Sequence, residues 1–285
     1  MLKIMIDGIP VERENAVISV LDHGFLFGDS VYEVVRTRDG KLFAADVHLK
    51  RLRYSAEKMG LPIPWDDAFL LEEMNRMVDL MGIPECALRL VITRGEGPLI
   101  IAPDHCTNQR RILFGKPTAR PEPSNYINGV SIRISRIRKP VSVHEKGNLK
   151  TGNYLESVVA LKDTQRLGFH EALLLNHEEM VAECATSNIF WIKDQVLFTP
   201  ALATGVLRGV TRQLVLHLAK TLNMIVEQGS YPLSHLLNAE EVFITSTSRD
   251  ILPVSRIDSS VFLVGPITQK LMAGFGKLGD VKLDF

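Results

Sequence analysis

The chain has 285 residues, 46% of them apolar, and 33 basic side chains stand against 33 acidic ones. That length supports a sizeable core in one large or two medium domains. A net charge of zero and a pI near 7.1 lack the electrostatic footprint of a nucleic-acid or anionic-membrane binder, so neither partner is expected.

No stretch approaches the roughly 18 consecutive apolar residues of a membrane span. The opening MLKIMIDGIP meets Asp7 and Pro10 before a signal-peptide core could form. Cys86, Cys106 and Cys184 are odd in number, far apart and outside any CxxC spacing, which argues against a disulfide framework and a thiolate zinc site. A reducing cytoplasm fits this usage.

In chain order, period-2 and period-3.6 stretches alternate irregularly, the pattern of a mixed α and β protein. Two helices are predicted over 46–60 and 66–82, each opening at an Asp and closing at a Gly. In the first, Leu49, Leu52, Ala56 and Met59 recur at helical spacing and should face a core, with Lys50, Arg53 and Lys58 mostly turned away. Strands follow at LRLVITR (88–94) and RRILFG (110–115). KPTARPEPSNYIN (116–128) packs three prolines into thirteen residues, the composition of an extended connector. It divides an N-terminal α/β domain (1–115) from a second domain (129–285). The latter offers strands near 130–137, 171–175, 188–193 and 241–246 and helices near 153–167 and 209–223, and reads as a closed β-rich domain carrying helices.

Some motifs mislead. Gly274 to Gly279 spells GxGxxG, but so late in the sequence it cannot open the βαβ unit a dinucleotide needs. The eight histidines include no HExxH, so no metal site is expected. There is no GxSxG elbow or SxxK to suggest a serine hydrolase.

Four elements together carry chemistry. Lys150, in GNLKTGNYLESVVALKD, sits between a polar strand end and a helix; alone it reads as a solvated charge. Glu183, in VAECATSNIFW, alternates into an apolar region, where acids are seldom buried without a cationic partner. GVLRGVTRQ (205–213) runs from a glycine-punctuated loop into a helix, leaving the amides of Val210 and Thr211 at a positive N-terminus, an anion cradle in outline. TSTSRD (245–250) follows a strand and offers hydroxyls and amides. A lysine amine, a carboxylate for a ring nitrogen and two anion-binding turns form the set that holds pyridoxal 5'-phosphate.

Residues 183–212 resemble the class IV aminotransferase signature throughout. Glu183 is followed after four residues by Asn188-Ile189-Phe190, then by Leu197 and Thr199, then by Leu207, Gly209-Val210 and Arg212. DHGFLFGDSVYEVVR (22–36) and HLKRL (48–52) are similar to the family's N-terminal substrate loop and its phosphate-binding arginine, so the resemblance covers most of the chain. One family habit is absent: the Gly that commonly follows the Glu is here Cys184.

The resemblance implies a two-domain, mixed α+β class IV fold with the cofactor between the domains, and at least a homodimer in which a loop of the neighbouring subunit closes the substrate pocket. It makes Lys150 the Schiff-base lysine and proton carrier, and Glu183 the partner of the pyridine nitrogen. Arg51, the amides of Val210 and Thr211 after Gly209, and the Ser246–Thr247 turn would hold the phosphate. Leu207 would lie against the ring, and Tyr154 would hydrogen-bond its oxygen. Arg51 as a surface charge and Tyr154 as a core aromatic remain the plainer readings.

Three activities share the family scaffold: transamination of branched-chain L-amino acids, transamination of D-amino acids, and lysis of aminodeoxychorismate, with amine transfer a further variant. Gly152-Asn153-Tyr154 is similar to the branched-chain enzymes; FGDSVYEVVR is closer to the D-amino-acid enzymes. The Arg-x-His carboxylate trap of the latter is replaced here by Leu99, Ile100 and Ile101. Losing a bidentate carboxylate partner and gaining an aliphatic wall favours an apolar side chain. Phe27, Tyr32 and Val34 would extend that wall, with Arg36 or Arg89 as carboxylate partners; core packing or surface charge is the alternative for all five. The amino acceptor implied is a 2-oxo acid such as 2-oxoglutarate. A catalytically silent cofactor-binding protein would be expected to lack part of this set.

Overall fold

The computed structural model describes residues 2–141, 144, 146–279, 281 and 283. The chain divides into two compact units, the first built mainly from residues up to Ala119 with the short stretch Leu149–Asn153, the second from Arg120–Asn148 and Tyr154–Val281. Both mix helices and strands.

In the first unit the elements are β1 (Lys3–Ile6), β2 (Ile9–Val11), α1 (His23–Phe27), β3 (Ser30–Arg38), β4 (Lys41–Leu42), α2 (Ala45–Lys58), α3 (Asp67–Met81), β5 (Cys86–Thr93) and β6 (Arg111–Pro117). The strands form a six-stranded sheet in the order β2-β1-β6-β5-β3-β4. Predicted helix and strand spans agree with these to within a few residues, although α2 is capped by Ala44 and Met59 rather than by the expected Asp46 and Gly60. Ala44 is its N-cap, at φ 53°, and Asp46 lies in its first turn. α3 has the expected ends: the Asp66 side chain accepts from the Phe69 amide, and Gly82 closes the helix at φ 61°. Leu49, Leu52 and Ala56 of α2 pack with Val31 and Val35 of β3 and with Leu70, Met74 and Met77 of α3 in one core, with Met59 partly buried against it.

The second unit contains α4 (Pro123–Asn128), β7 (Val130–Lys139), α5 (Leu155–Arg166), β8 (Glu171–Asn176), β9 (Val181–Cys184), β10 (Asn188–Lys193), β11 (Val196–Pro200), α6 (Val210–Thr221), β12 (Val226–Gly229), α7 (Leu233–Leu237), β13 (Glu241–Ser246), β14 (Asp250–Ile257), β15 (Ser260–Val261) and α8 (Pro266–Gly276). Residues 116–128, expected as an extended connector, hold the end of β6 and the short helix α4, which a proline in its first turn favours. The sheet runs β12-β11-β10-β13-β14-β7-β8-β9. Its two ends meet just beyond the regular strands, where Val181 N–H donates to Tyr231 O at 2.9 Å and Met180 bridges Pro232. An isolated bridge, not a β9–β12 ladder, joins the two ends of this sheet.

β10 and β13 are buried on both faces. Ile189 and Trp191 enter one core with Val242, Ile244 and Val254, while Phe190 and Phe243, directly opposed, stack at 5.0 Å on the other side. α6 and α8 pack against β13, and α8 also against β14. That two-sided burial is why these strands read as continuous apolar runs rather than as alternation. The GxGxxG-like segment starts inside the last turn of α8.

One polar feature pins the first unit. Arg111 on β6 pairs through Nε and Nη2 with the Glu73 carboxylate of α3, both residues 5% exposed, and its guanidinium lies 4.2 Å from the Trp65 ring centroid. Cutting one side of such a pair leaves a buried charge without compensation. Arg111→Met is expected to lower the unfolding free energy by about 3–5 kcal/mol in denaturant titrations.

Candidate active site

The stretch Leu149–Asn153 adds itself to an edge of β3. β4 covers only the far end of that strand, at Thr37 and Arg38. At the near end Tyr32 N–H donates to Lys150 O at 3.2 Å, Gly152 N–H donates to Ser30 O at 2.9 Å, and Val31 bridges Thr151. Glycine at 152 lets the stretch lie this close: a Cβ there would stand 2.4 Å from Ser30 Oγ and 3.0 Å from Gly28 O. Lys150 N–H also donates to Ser55 Oγ on α2 at 3.1 Å.

This anchoring sets the lysine amine. Its Nζ lies 2.7 Å from the Tyr32 hydroxyl and 4.1 Å from the centre of that ring, and the Arg89 guanidinium stands 4.3 Å from the same ring centre. Three residues expected at the site (Lys150, Tyr32 and Arg89) are thus one cluster, because Tyr32 and Arg89 share a sheet face: Val34 pairs with Arg89 in the β3–β5 ladder.

The neighbouring residue, Glu33, points to the opposite face, toward α2. Its Oε1 accepts from Arg51 Nε at 2.7 Å, and its Oε2 accepts from Arg51 Nη2 and His48 Nδ1, each at 2.7 Å. Arg51 is therefore a buried, clamped side chain, 4% exposed, rather than a surface charge. Ser55 lies four residues further along α2, on the same helical face, so one helix sets both the Arg51 guanidinium and the Lys150 backbone.

Phe27 ends α1 with its ring edge-on to His23 at 4.9 Å, and Val34 is half-buried. Arg36 is 1% exposed, with Nη1 donating to Thr37 O at 3.2 Å and its guanidinium 5.1 Å from the Phe43 ring centre.

In the second unit the key group is the Glu183 carboxylate on β9, 6% exposed. Its Oε2 accepts from Asn188 Nδ2 at 2.9 Å and from Leu207 N–H at 3.0 Å, and its Oε1 pairs with Lys139 Nζ. Asn188 also donates to Leu207 O at 2.9 Å. A Cβ on Gly209 would fall 2.0 Å from Asn188 Oδ1, so only glycine fits where the loop enters α6. Gly209 is the N-cap of α6 and supplies no capping side chain, leaving the first-turn amides at Val210 and Thr211 for another acceptor. β13 pairs Thr245 with Asn188, which brings the Ser246–Thr247 turn to the same end of β10. Ser246 Oγ is buried there without a hydrogen-bond partner.

Tyr154 is half-buried at the N-cap of α5, where burial pushes its phenol up to about 12, so it stays a neutral O–H donor. Two amides at a helix start, an orphaned hydroxyl and a fixed carboxylate fit a phosphorylated heteroaromatic ring with a basic nitrogen. Sequence reasoning missed Glu33, His48, Ser55 and Lys139. A Glu amid the apolar run SVYEVVR was the one available signal for the first.

The chain matches the family "Amino-transferase class IV" over residues 30–257. It is 35% identical to a Methanocaldococcus jannaschii protein carrying a provisional branched-chain-amino-acid aminotransferase name, over 96% of this chain and 95% of that one. It is 30% identical to a D-alanine aminotransferase of Bacillus licheniformis, over 95% and 94% respectively. Similar solved structures include the branched-chain amino acid aminotransferase of Escherichia coli (TM-score 0.91, 26% identity, 98% of this chain and 94% of that one). Another is a 4-amino-4-deoxychorismate lyase of Pseudomonas aeruginosa (TM-score 0.86, 30% identity, 95% and 97%). The chain belongs to the class IV aminotransferases and has their mixed α+β fold.

The Glu33 cluster sets an acid limit. Burial raises the Glu33 carboxyl, but the Arg51 charge and hydrogen bond, aided by His48, outweigh it and bring it down from 4.5 to about 2. Burial also lowers His48 below its ordinary 6.5, against the pull of Glu33, so it is held neutral. A depressed carboxylate stabilises the fold above its unfolded value and loses that contribution as pH falls from 4.5 toward about 2. A depressed histidine acts in the same sense below 6.5, because the unfolded chain takes up the proton more readily. Stability measured by urea unfolding should fall on acidification through these windows. Glu33→Gln should cost about 3–5 kcal/mol at neutral pH and flatten the profile between 4.5 and 2.

Proposed function

We propose that this protein is a pyridoxal-phosphate-dependent transaminase that moves an amino group between a branched-chain or other hydrophobic amino acid and a 2-oxo acid, with glutamate and 2-oxoglutarate as the second pair. The observation that carries this reading is the Lys150 amine, 2.7 Å from the Tyr32 hydroxyl, with Arg89 over the same ring. It sets an amine able to move a proton beside a cation able to hold a carboxylate.

When bound, the cofactor supplies a conjugated electron sink for the bond broken at the substrate Cα. Lys150 Nζ takes the Cα proton and returns it, and the Tyr32 hydroxyl orients that amine. Arg51, fixed by Glu33 and His48, would hold the phosphate, as would the Val210 and Thr211 amides and the Ser246–Thr247 turn. Glu183 would accept from the ring nitrogen, Leu207 would lie against the ring, and Tyr154 would donate to the ring oxygen.

Substrate choice is read from what lines the approach. Leu99, Ile100 and Ile101 are 72%, 48% and 81% exposed, aliphatic where a cationic trap would select a second charge. Arg89 then takes the substrate carboxylate or the distal carboxylate of glutamate, with Phe27, Tyr32 and Val34 as apolar wall. Arg36, with its guanidinium 5.1 Å from the Phe43 ring centre, is the alternative carboxylate partner. A homodimer in which a second copy covers the exposed 99–101 loop completes the reading. Free Cys86, Cys106 and Cys184 suit a cytoplasmic location, and no helix among the described residues is long and apolar enough to cross a membrane. The second reading is D-amino-acid transfer, favoured by Tyr32-Glu33-Val34 in place of the branched-chain pattern and by the likeness to a D-alanine aminotransferase.

A single-turnover half-reaction decides between them. L-leucine and L-valine should discharge the yellow form of the cofactor-loaded protein quickly and D-alanine slowly; the reverse order selects the D-amino-acid reading. Lys150→Ala should abolish borohydride-stable attachment of the cofactor, and attachment at another lysine would end the assignment. Arg89→Met should weaken the glutamate half-reaction by roughly tenfold or more while leaving that of L-leucine less affected.

A further inference from the structure

We propose that Lys139 is a positioning residue for the cofactor ring: it holds Glu183 as an anion so that the proton shared with the ring nitrogen resides on the ring. The inference rests on the reading of Glu183 as the ring nitrogen's partner. It extends that reading to a residue outside the signature that carries the resemblance.

The argument starts from the lone pairs of the carboxylate. Each carboxylate oxygen offers about two acceptor directions. Glu183 Oε2 has both in use, for Asn188 Nδ2 at 2.9 Å and the Leu207 amide at 3.0 Å. Oε1 takes Lys139 Nζ and keeps one direction open. A ring N–H can therefore be accepted only at Oε1, the oxygen that Lys139 already holds.

Charge then decides where the proton sits. Two arrangements contain the same atoms and the same number of protons: carboxylate with protonated ring, or carboxylic acid with neutral ring. The ammonium of Lys139 is in contact with the oxygen and would be further from a ring nitrogen bound beyond it. It thus stabilises the charged arrangement more than it opposes it, and in a site where Glu183 is 6% exposed this bias is weakly screened. No proton leaves Lys139 in the process. The protonated ring is the form that draws electrons from the substrate Cα, so the bias acts on the chemical step rather than on binding.

Lys139 is fixed for this role. It ends β7, which lies beside β8, and β8 in turn beside β9, so its side chain spans β8 to reach Glu183. His177 N–H donates to Lys139 O at 3.1 Å, and the next residue is packed so closely that a Cβ on Gly205 would stand 2.2 Å from Pro140 O. Another cation of this region, Arg212, is 2% exposed and spends its Nη2 on Pro200 O at 2.9 Å and Gln228 Oε1 at 2.8 Å. It contributes field but no hydrogen bond of this kind to the Glu183 carboxylate.

The test uses the holoenzyme loaded with cofactor labelled with nitrogen-15 in the ring. In Lys139→Met the ring-nitrogen resonance should move toward that of unprotonated pyridine, and the amino-acid half-reaction should slow roughly tenfold or more with little change in the substrate concentration required. Lys139→Arg should restore both. If Lys139→Met does not fold, Lys139→Gln serves with the same expectation. An unchanged resonance in the Lys139 variants, while Glu183→Gln moves it, overturns the role of Lys139 alone. An unchanged resonance in both overturns the assignment of Glu183 and the present inference with it.

Discussion

A carboxylate withdrawn from water must be met by donors, and in this protein that requirement organises the second unit around Glu183. One oxygen is satisfied by Asn188 and the Leu207 amide, the other by Lys139. Each partner brings an element with it. Asn188 opens β10, Leu207 fixes the loop that leads into α6, and Lys139 ends β7. Because Asn188 also fills the space a side chain at 209 would need, the carboxylate, the glycine and the bare helix start are one construction.

The first unit meets the same constraint with a different solution. Glu33 stands in a strand whose neighbours are apolar, and it is satisfied by turning toward α2, where Arg51 and His48 donate to it. Alternation along β3 then sends Tyr32 to the other face, toward Lys150 and Arg89. Ordering a long arginine carries a side-chain entropy cost. Clamping by a buried carboxylate settles that cost at folding, so the guanidinium is already ordered in the folded chain.

Legibility in the sequence followed physical range. The spans of α2, α3, α5 and α6 and of the central strands were readable because periodicity, caps and two-sided burial are local. The signature from Glu183 to Arg212 was readable because its anchors fall within one stretch of chain. The role of residues 149–153 was not, since that stretch joins β3 by backbone hydrogen bonds that leave no mark on composition. Lys139 was invisible for a similar reason: it meets Glu183 across β8, 44 residues away in sequence, and a lysine at a strand end looks like any solvated charge.

The sequence by itself determined the family and the mixed α and β class, and it singled out the lysine, the carboxylate and the anion-binding turns as candidates, because these rest on residue types at fixed local spacing. Tertiary structure alone decided which charges are paired. Arg51 belongs to Glu33, Lys139 to Glu183 and Arg111 to Glu73, and the Arg36 guanidinium stands 5.1 Å from the Phe43 ring centre. Pairing depends on strand register and on which face of a sheet or helix a side chain leaves from. Those are set by packing between segments distant in the chain, where local propensity carries no information.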